Sequence, residues 1–371
     1  MSKKRRHKRC PHCNSLSTQR YGYKPRKKFS LYHPRIRCTR WYCRNCNRTF
    51  SNLKSIYSFT YAKSAAELYF DGKSSYRNAA KLLRIDRMTA YKHIQAVCKR
   101  AKMPYELSME LKPTWSGYLA LDSDNINIFR HKEHLLIAVD VGTLDIPNAL
   151  LCKHQGQLDW ELLLETLKQL HYPFKAIISD GAFTLLSAVK RSLPGVPHQV
   201  CVRHFEDESY RFLRYRKHRM PVDPKLTELF MKYLHDVLYA PTNERYLCEL
   251  HNLVSIQHPD LKPVTTRLQH HYKYLTPHLF DANIPRTTNV IENIISQLDL
   301  KLNPIIKFGS HESAWNTLKL VISWYRFKKF SSCNKKNQRN NGKSPLEIAG
   351  VTPKNTHWIY HAIRQNLPTN F

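Results

Sequence analysis

The sequence predicts a mixed α/β protein with a strand-rich core behind two small N-terminal modules, and three observations point to it. Two Cys-x-x-Cys knuckles stand in the first fifty residues, a pair of amphipathic helical patterns follows, and after Pro113 the texture changes to short apolar runs bounded by turns. With 371 residues and 42% hydrophobic content, the chain can bury one sizeable core beside smaller modules. Sixty Lys and Arg against 28 Asp and Glu give a formal net charge of +32, far beyond what solubility requires, so nucleic acid is the expected partner. No apolar run approaches the ~18–20 residues of a spanning helix, and no signal-type apolar segment opens the chain. The expectation is a soluble intracellular protein with no membrane partner.

The first module is read from "CPHC" and "CRNC". Cys10 and Cys13 form one knuckle, Cys43 and Cys46 the other, about thirty residues apart in a basic, aromatic segment. Four thiolates in that arrangement suit one tetrahedral structural Zn²⁺, against the plainer reading of buried free thiols or a redox pair. The remaining cysteines are scattered, which argues against a disulfide framework. Cys38 precedes the second knuckle at the wrong spacing and His12 lies inside the first; both are read as bystanders, with replacement of a ligand by either as the alternative. The flanking runs "MSKKRRHKRC" and "YKPRKKF" are basic arms suited to a phosphate backbone.

The second module is "SSYRNAAKLLRIDRMTAYKHIQAVCKR". Ser75 caps a short helix in which Ala79, Ala80, Leu82 and Leu83 pack inward, "RIDR" turns the chain, and Thr89, Ala90, Ile94 and Val97 pattern a second helix. This is helix-turn-helix spacing, with Arg87, Tyr91, Lys92, His93, Lys99 and Arg100 as the DNA-reading residues. Any helical hairpin with a charged face has a similar pattern.

The core runs "GYLALD", "NINIF", "HLLIAVDVG" and "PNALLC" as strands, then helix, strand "FKAIIS", helix and strand "PHQVCVRH". That order implies a mixed sheet flanked by helices, as in ribonuclease H-like folds. Asp122 is expected to end the first strand and Asp180 the later one, with Gly181 letting the chain turn away. Carboxylates at the ends of neighbouring strands can converge and hold divalent cations, although a turn-forming Asp is the ordinary alternative for each. Asp124 competes with Asp122 as the first acid, and Asp140 is a reserve candidate. Further on, in "IPRTTNVIENIISQLDLKL", Val290, Ile291, Ile294, Ile295, Leu298 and Leu302 form one helical stripe. Glu292 at its edge is either the partner of an Asn289 N-cap in a capping box or a metal ligand.

Taken together, "CPHC…CRNCNRTF", the helix-turn-helix, "WSGYLALDSDNI", "AIISDG", "HQVCVRH", "RTTNVIEN" and "GKSPLEIAGV" resemble, in that order, the DDE-type transposases of bacterial and archaeal insertion sequences, within the Mutator-like group. The resemblance spans most of the chain. It implies Asp122, Asp180 and Glu292 as catalytic acids holding Mg²⁺ or Mn²⁺, with Cys201, His204, Asn289 and Arg286 as active-site neighbours. It implies binding to the element's terminal inverted repeats, strand cleavage and transfer of the 3′-hydroxyl to target double-stranded DNA, by a homodimer or larger assembly. The implied place is nucleoid-associated cytoplasm, or the nucleus of a eukaryotic host.

Expected boundaries are a zinc ribbon with basic arm over 1–55, a helix-turn-helix domain over 56–105, and a ribonuclease H-like catalytic domain over 106–330. Within it an all-helical insertion is expected at about 206–284, whose basic polar positions suit DNA, and residues 331–371 are read as a polar linker and tail. Two other functions fit the same modules: a sequence-specific DNA-binding regulator or silent relic in which the acids are incidental, and a nuclease that cuts without joining.

Overall fold

The computed structural model describes residues 8–24, 38–51, 59–72, 75–215, 223–331, 335–353 and 356–364. The basic run at residues 1–7 and most of "YKPRKKF" lie outside them. Two compact units are present, one of residues 1–100 with 363–371 and the other of residues 101–362. Among the described residues no helix is long and apolar enough to cross a membrane.

The first unit opens with an antiparallel sheet of β1 (Thr18–Lys24), β2 (Cys38–Cys43) and β3 (Thr49–Ser51). Its core is too small to be held by apolar burial: Cys10, Cys43 and Phe50 are its buried members. Three helices follow, α1 (Phe59–Phe70), α2 (Tyr76–Leu83) and α3 (Arg87–Cys98). Ser75 caps α2, its hydroxyl accepting from Asn78 N–H at 3.3 Å, and Arg84 in the left-handed region ends the helix. Asp86 then caps α3 through Thr89 N–H at 2.9 Å. Ala79, Ala80, Ala90, Ile94 and Val97 are buried, whereas Leu82, expected inside, is 64% exposed. Two residues past Ala80, it stands on the far side of the helix from that buried residue.

The second unit begins with α4 (Pro104–Leu111) and builds a five-stranded sheet from β4 (Tyr118–Ile128), β5 (His131–Asp140), β6 (Asn148–Cys152), β7 (Ala176–Ser179) and β8 (His198–Val200). Strand order is β6-β5-β4-β7-β8; the first three are antiparallel, and β7 and β8 continue parallel to β4. The expected strands "GYLALD" and "NINIF" are one strand. An unbroken ladder from Leu119↔Asp140 to Ile128↔His131 carries the polar run Asp122–Asn125 across the sheet, so Asp122 lies inside β4 and not at its end. Paired backbone overrides the turn preference of those residues.

Leu119 and Leu121 face α5 (Gln157–Gln169) and α6 (Phe183–Ser192), where Trp160, Leu163, Leu164, Leu167, Leu185 and Val189 complete a core. By the alternation of a strand, Ala120, Asp122 and Asp124 face the other side, against α13 (Asn289–Leu302), with α14 (His311–Phe327) behind. Between β8 and α13 every described element is a helix: α7 (Val202–Tyr215), α8 (Pro224–Leu238), α9 (Asn243–Val254), α10 (Lys262–His270), α11 (Tyr272–Leu275) and α12 (Pro277–Phe280). They share an apolar core of their own, including Phe205, Phe230, Leu234, Tyr246 and Leu268.

The segment read as a polar linker and tail is structured in its described part. Gly342 N–H donates to the Phe330 carbonyl and Phe330 N–H to that of Lys343. Ser344 and Glu347 then form a capping box on α15 (Pro345–Ile348), and α16 (Trp358–Ala362) follows. Leu346, Ala349 and Ile359 are buried, and α15 and α16 both pack on α14. A few apolar residues among many polar ones suffice to dock so short a segment.

Candidate active site

Asp122 and Asp180 stand level with each other. The parallel register pairs Ala120 with Ile178, and each carboxylate lies two residues further along. Asp180 leaves the end of β7, its Oδ1 accepting Ala182 N–H at 2.9 Å. Gly181 makes that exit possible: its φ is +86°, and a Cβ there would meet Val200 Cγ1 at 2.8 Å. Behind it the buried His198 Nε2 meets Ser179 Oγ at 2.7 Å, and Ser179 Oγ accepts Gly181 N–H at 3.2 Å. Burial pushes His198 down to about 4, so the ring is neutral.

Asp122 carries the clearest electrostatic mark. Burial raises its carboxyl to about 6, repulsion from Asp180 and Glu292 adds to the rise, and Ser123 N–H and His204 oppose it. Asp124 instead turns to α13, sharing a hydrogen bond with Asp299, so the two competing acids take different partners. Asp140, the reserve candidate, is fully buried at the far end of β5 and spent on structure. It accepts from Ser116 N–H and Oγ, Gly117 N–H, Thr143 N–H and Oγ1, and Tyr172 Oη.

Glu292 is the fourth residue of α13, and the N-cap is Thr288, so Asn289 is the first helical residue and exposed. No capping box forms. Glu292 Oε1 instead accepts from Thr288 Oγ1 at 2.7 Å, and Thr288 Oγ1 meets His204 Nδ1 at 3.3 Å. Thr288 N–H also reaches Cys201 Sγ at 3.5 Å. A hydrogen bond with Cys201 raises His204 to about 9 against its burial, and Glu292 and Asp180 add to the rise. Burial pushes the Cys201 thiol up, but hydrogen bonds from His204 and Thr288 outweigh it and lower the thiol below its ordinary value. The shared hydrogen bond thus favours charge on both groups, a lowered thiol beside a raised imidazole. With one proton on the hydroxyl, Thr288 donates to Glu292 and accepts from the protonated ring. Arg286 contributes its carbonyl to Val202 N–H at 3.0 Å, and its guanidinium lies 5.7 Å from the Tyr239 ring centroid.

Thr288 is the residue of this cluster that the sequence does not single out; it stands in the quoted "RTTN" with no signal of its own until the fold brings Cys201 and His204 beside it.

The three carboxylates form an all-oxygen donor set suited to a hard divalent cation, and their mutual repulsion is what such a cation would relieve. Their oxygens do not all lie within 4.8 Å of one another. Among the described residues, Cys10, Cys13, Cys43 and Cys46 are the group whose ligand atoms all lie within 4.8 Å of one another. Their sulfurs stand 3.6 Å (Cys10 to Cys46) and 3.5 Å (Cys13 to Cys43) apart. A tetrahedron of ~2.3 Å Zn–S bonds has edges of about 3.8 Å, so these four could hold a zinc ion. His12 donates its backbone N–H to Cys10 Sγ at 3.4 Å and offers no ring ligand within that group.

On α3, Arg87, Lys92 and Lys99 are exposed. Tyr91 is half-buried, its ring 5.3 Å from and edge-on to that of Tyr76. His93 and Arg100 are 3% and 8% exposed and belong to the interior, which corrects their place among the DNA-facing residues. His93 shares the buried side of α3 with Ile94 and Val97, and Arg100 follows two residues past the end of the helix.

No protein-family model matches this chain, and no curated protein matches it. Among solved structures it is similar to a chain in the cryo-electron-microscopy structure of the simian T-cell lymphotropic virus intasome in complex with PP2A regulatory subunit B56 gamma. The likeness covers 53% of this chain and 69% of that one, at 15% identity and a TM-score of 0.21. So low a score carries no argument about fold or function.

Proposed function

We propose that the protein is a DDE-type transposase with a ribonuclease H-like catalytic core, acting on double-stranded DNA. One observation carries the reading: Asp122 on the central strand and Asp180 at the end of its parallel neighbour stand level, and Glu292, after an all-helical interval, adds its charge to theirs. The strand order β6-β5-β4-β7-β8 supports the core assignment.

In this reading Asp122, Asp180 and Glu292 hold Mg²⁺ or Mn²⁺, which supplies Lewis acidity for cutting one phosphodiester and joining a 3′-hydroxyl to another. Thr288 orients Glu292, and His204 orients Thr288. Gly181 aims Asp180 by releasing the chain from β7. Arg87, Lys92 and Lys99 serve recognition of the element's ends, and a four-cysteine zinc ribbon supports them. Two ends must be cut and joined together, so the working form is a homodimer or larger assembly on DNA.

The test is Mg²⁺-dependent cleavage and joining of a duplex bearing the element's ends by wild type, Asp122→Asn, Asp124→Asn and Glu292→Gln. The reading expects loss of both steps in Asp122→Asn and Glu292→Gln with binding retained, and activity kept in Asp124→Asn. Wild type that binds and does neither favours the DNA-binding regulator, for which the exposed basic face of α3 is the supporting observation. Cutting without joining would make it a nuclease.

A further inference from the structure

β4 does not stop at the carboxylates. From Asp122 it runs on to Ile128, about six residues or ~20 Å beyond them. There the hairpin turns at Phe129 and Arg130, the latter at φ 72°. The loop between α13 and α14 is stitched to this tip: Phe129 N–H donates to the Phe308 carbonyl and Phe308 N–H to that of Asn127, both at 2.9 Å. Beside them the buried Glu133 meets His131 Nε2 at 3.0 Å and His311 Nδ1 at 2.5 Å, fastening β5 to the first residue of α14. The result is a ledge braced from two sides.

Its outward groups are Phe129, 48% exposed, and Ile306, 86% exposed, among the exposed Arg130, Lys132 and Lys307. The Arg130 guanidinium lies 5.0 Å and the Lys307 ammonium 4.9 Å from the Phe129 ring centroid. An apolar pair ringed by cations is a poor protein-docking core, from which Lys is depleted. It matches DNA, where cations meet phosphates and an apolar side chain meets sugar or base faces.

We infer that this braced hairpin tip is a second DNA contact, gripping the duplex about six base pairs from the phosphate held at the carboxylates, since ~20 Å spans about six steps of ~3.4 Å. The inference rests on the proposed function for what lies at the carboxylates. The ledge holds DNA without reading its sequence and fixes the path of the duplex past the acids.

The experiment measures duplex affinity of the full chain against salt for wild type, Arg130→Glu with Lys307→Glu, and, as an equal charge change, Lys190→Glu with Arg191→Glu on α6. The ledge pair is expected to weaken binding at least tenfold and to lower the salt slope by about two, beyond the α6 pair. Equal effects of the two pairs overturn the inference. In parallel, p-benzoylphenylalanine placed at Ile306 is expected to cross-link DNA about six base pairs from the cut; cross-linking only to a second copy of the chain overturns it. Wild-type cutting in the same preparations separates the two claims. If wild type cuts while the ledge pair binds normally, the ledge alone fails; if the ledge contact holds and wild type does not cut, the proposed function fails.

Discussion

The Thr288 hydroxyl donates to Glu292 Oε1 at 2.7 Å, so the carboxylate at the head of α13 is held by a side chain and not by a helix amide. The same threonine touches Cys201 and His204, which makes it the joint between the α7 and α13 sides of the site. Thr288→Val keeps the shape and removes the donor. It is expected to slow cutting about 10–100-fold and raise the Mg²⁺ requirement while leaving DNA affinity unchanged, with Thr288→Ser restoring most of the rate. A valine variant with the wild-type rate and Mg²⁺ profile would remove the positioning role.

The Asp124–Asp299 pair makes stability depend on pH. Burial raises Asp299 to about 6 and repulsion from Asp124 adds to this, so the folded chain holds a proton there more tightly than the unfolded one. The stabilisation is present at low pH and is lost as pH rises from about 4 through 6. Discounted for an Asp299 that is only half-buried, the pair is worth ~1 kcal/mol. Asp299→Asn is expected to raise the Tm at pH 7 by about 2–4 °C and flatten the melting profile between pH 4 and 7. An unchanged profile sinks this account.

Arg326 and Asp145 form a fully buried two-pronged pair, with Nε to Oδ1 and Nη2 to Oδ2 both at 2.8 Å. Arg326 also donates to the Pro104 carbonyl and Ser108 Oγ, and Trp115 Nε1 donates to Asp145, so one guanidinium joins α14 to α4 and the β5–β6 connection. Arg326→Met strands a buried carboxylate. The expected loss is about 3–5 kcal/mol, read from denaturant unfolding, with part recovered when Asp145→Asn is added. A loss under ~1 kcal/mol would show that water reaches the carboxylate.

Metal analysis of purified protein is expected to find about one zinc per chain, falling in Cys43→Ser and unchanged in the exposed Cys248→Ser. Chelation should loosen the β1–β3 sheet, because three buried members cannot hold it alone. Full zinc content in Cys43→Ser would relocate the site.

Much of this was legible in the residues. The knuckles, the Ser75 cap, the apolar stripe of α13 and the glycine after Asp180 are local signals, set by spacing and backbone chemistry over a few positions. The errors were local readings overruled at a distance. Asp122–Asn125 looked like a turn until β5 paired with all of it, Asn289 looked like a cap until α13 began one residue earlier, and Leu82, His93 and Arg100 were assigned faces that packing reversed.

By itself the sequence determined which groups were available: four thiols in two pairs, a few well-placed acids, and an excess of cations, each recorded in residue type and short-range periodicity. Only the tertiary structure decided which acid meets which. Whether Asp122 or Asp124 shares a field with Asp180 and Glu292, which donors surround Asp140, and that Thr288 joins Cys201, His204 and Glu292 all depend on strand register and on contacts between residues as distant in the chain as Asp124 and Asp299. Such contacts leave no pattern in a single sequence, because nothing in the local spacing of either partner encodes the other.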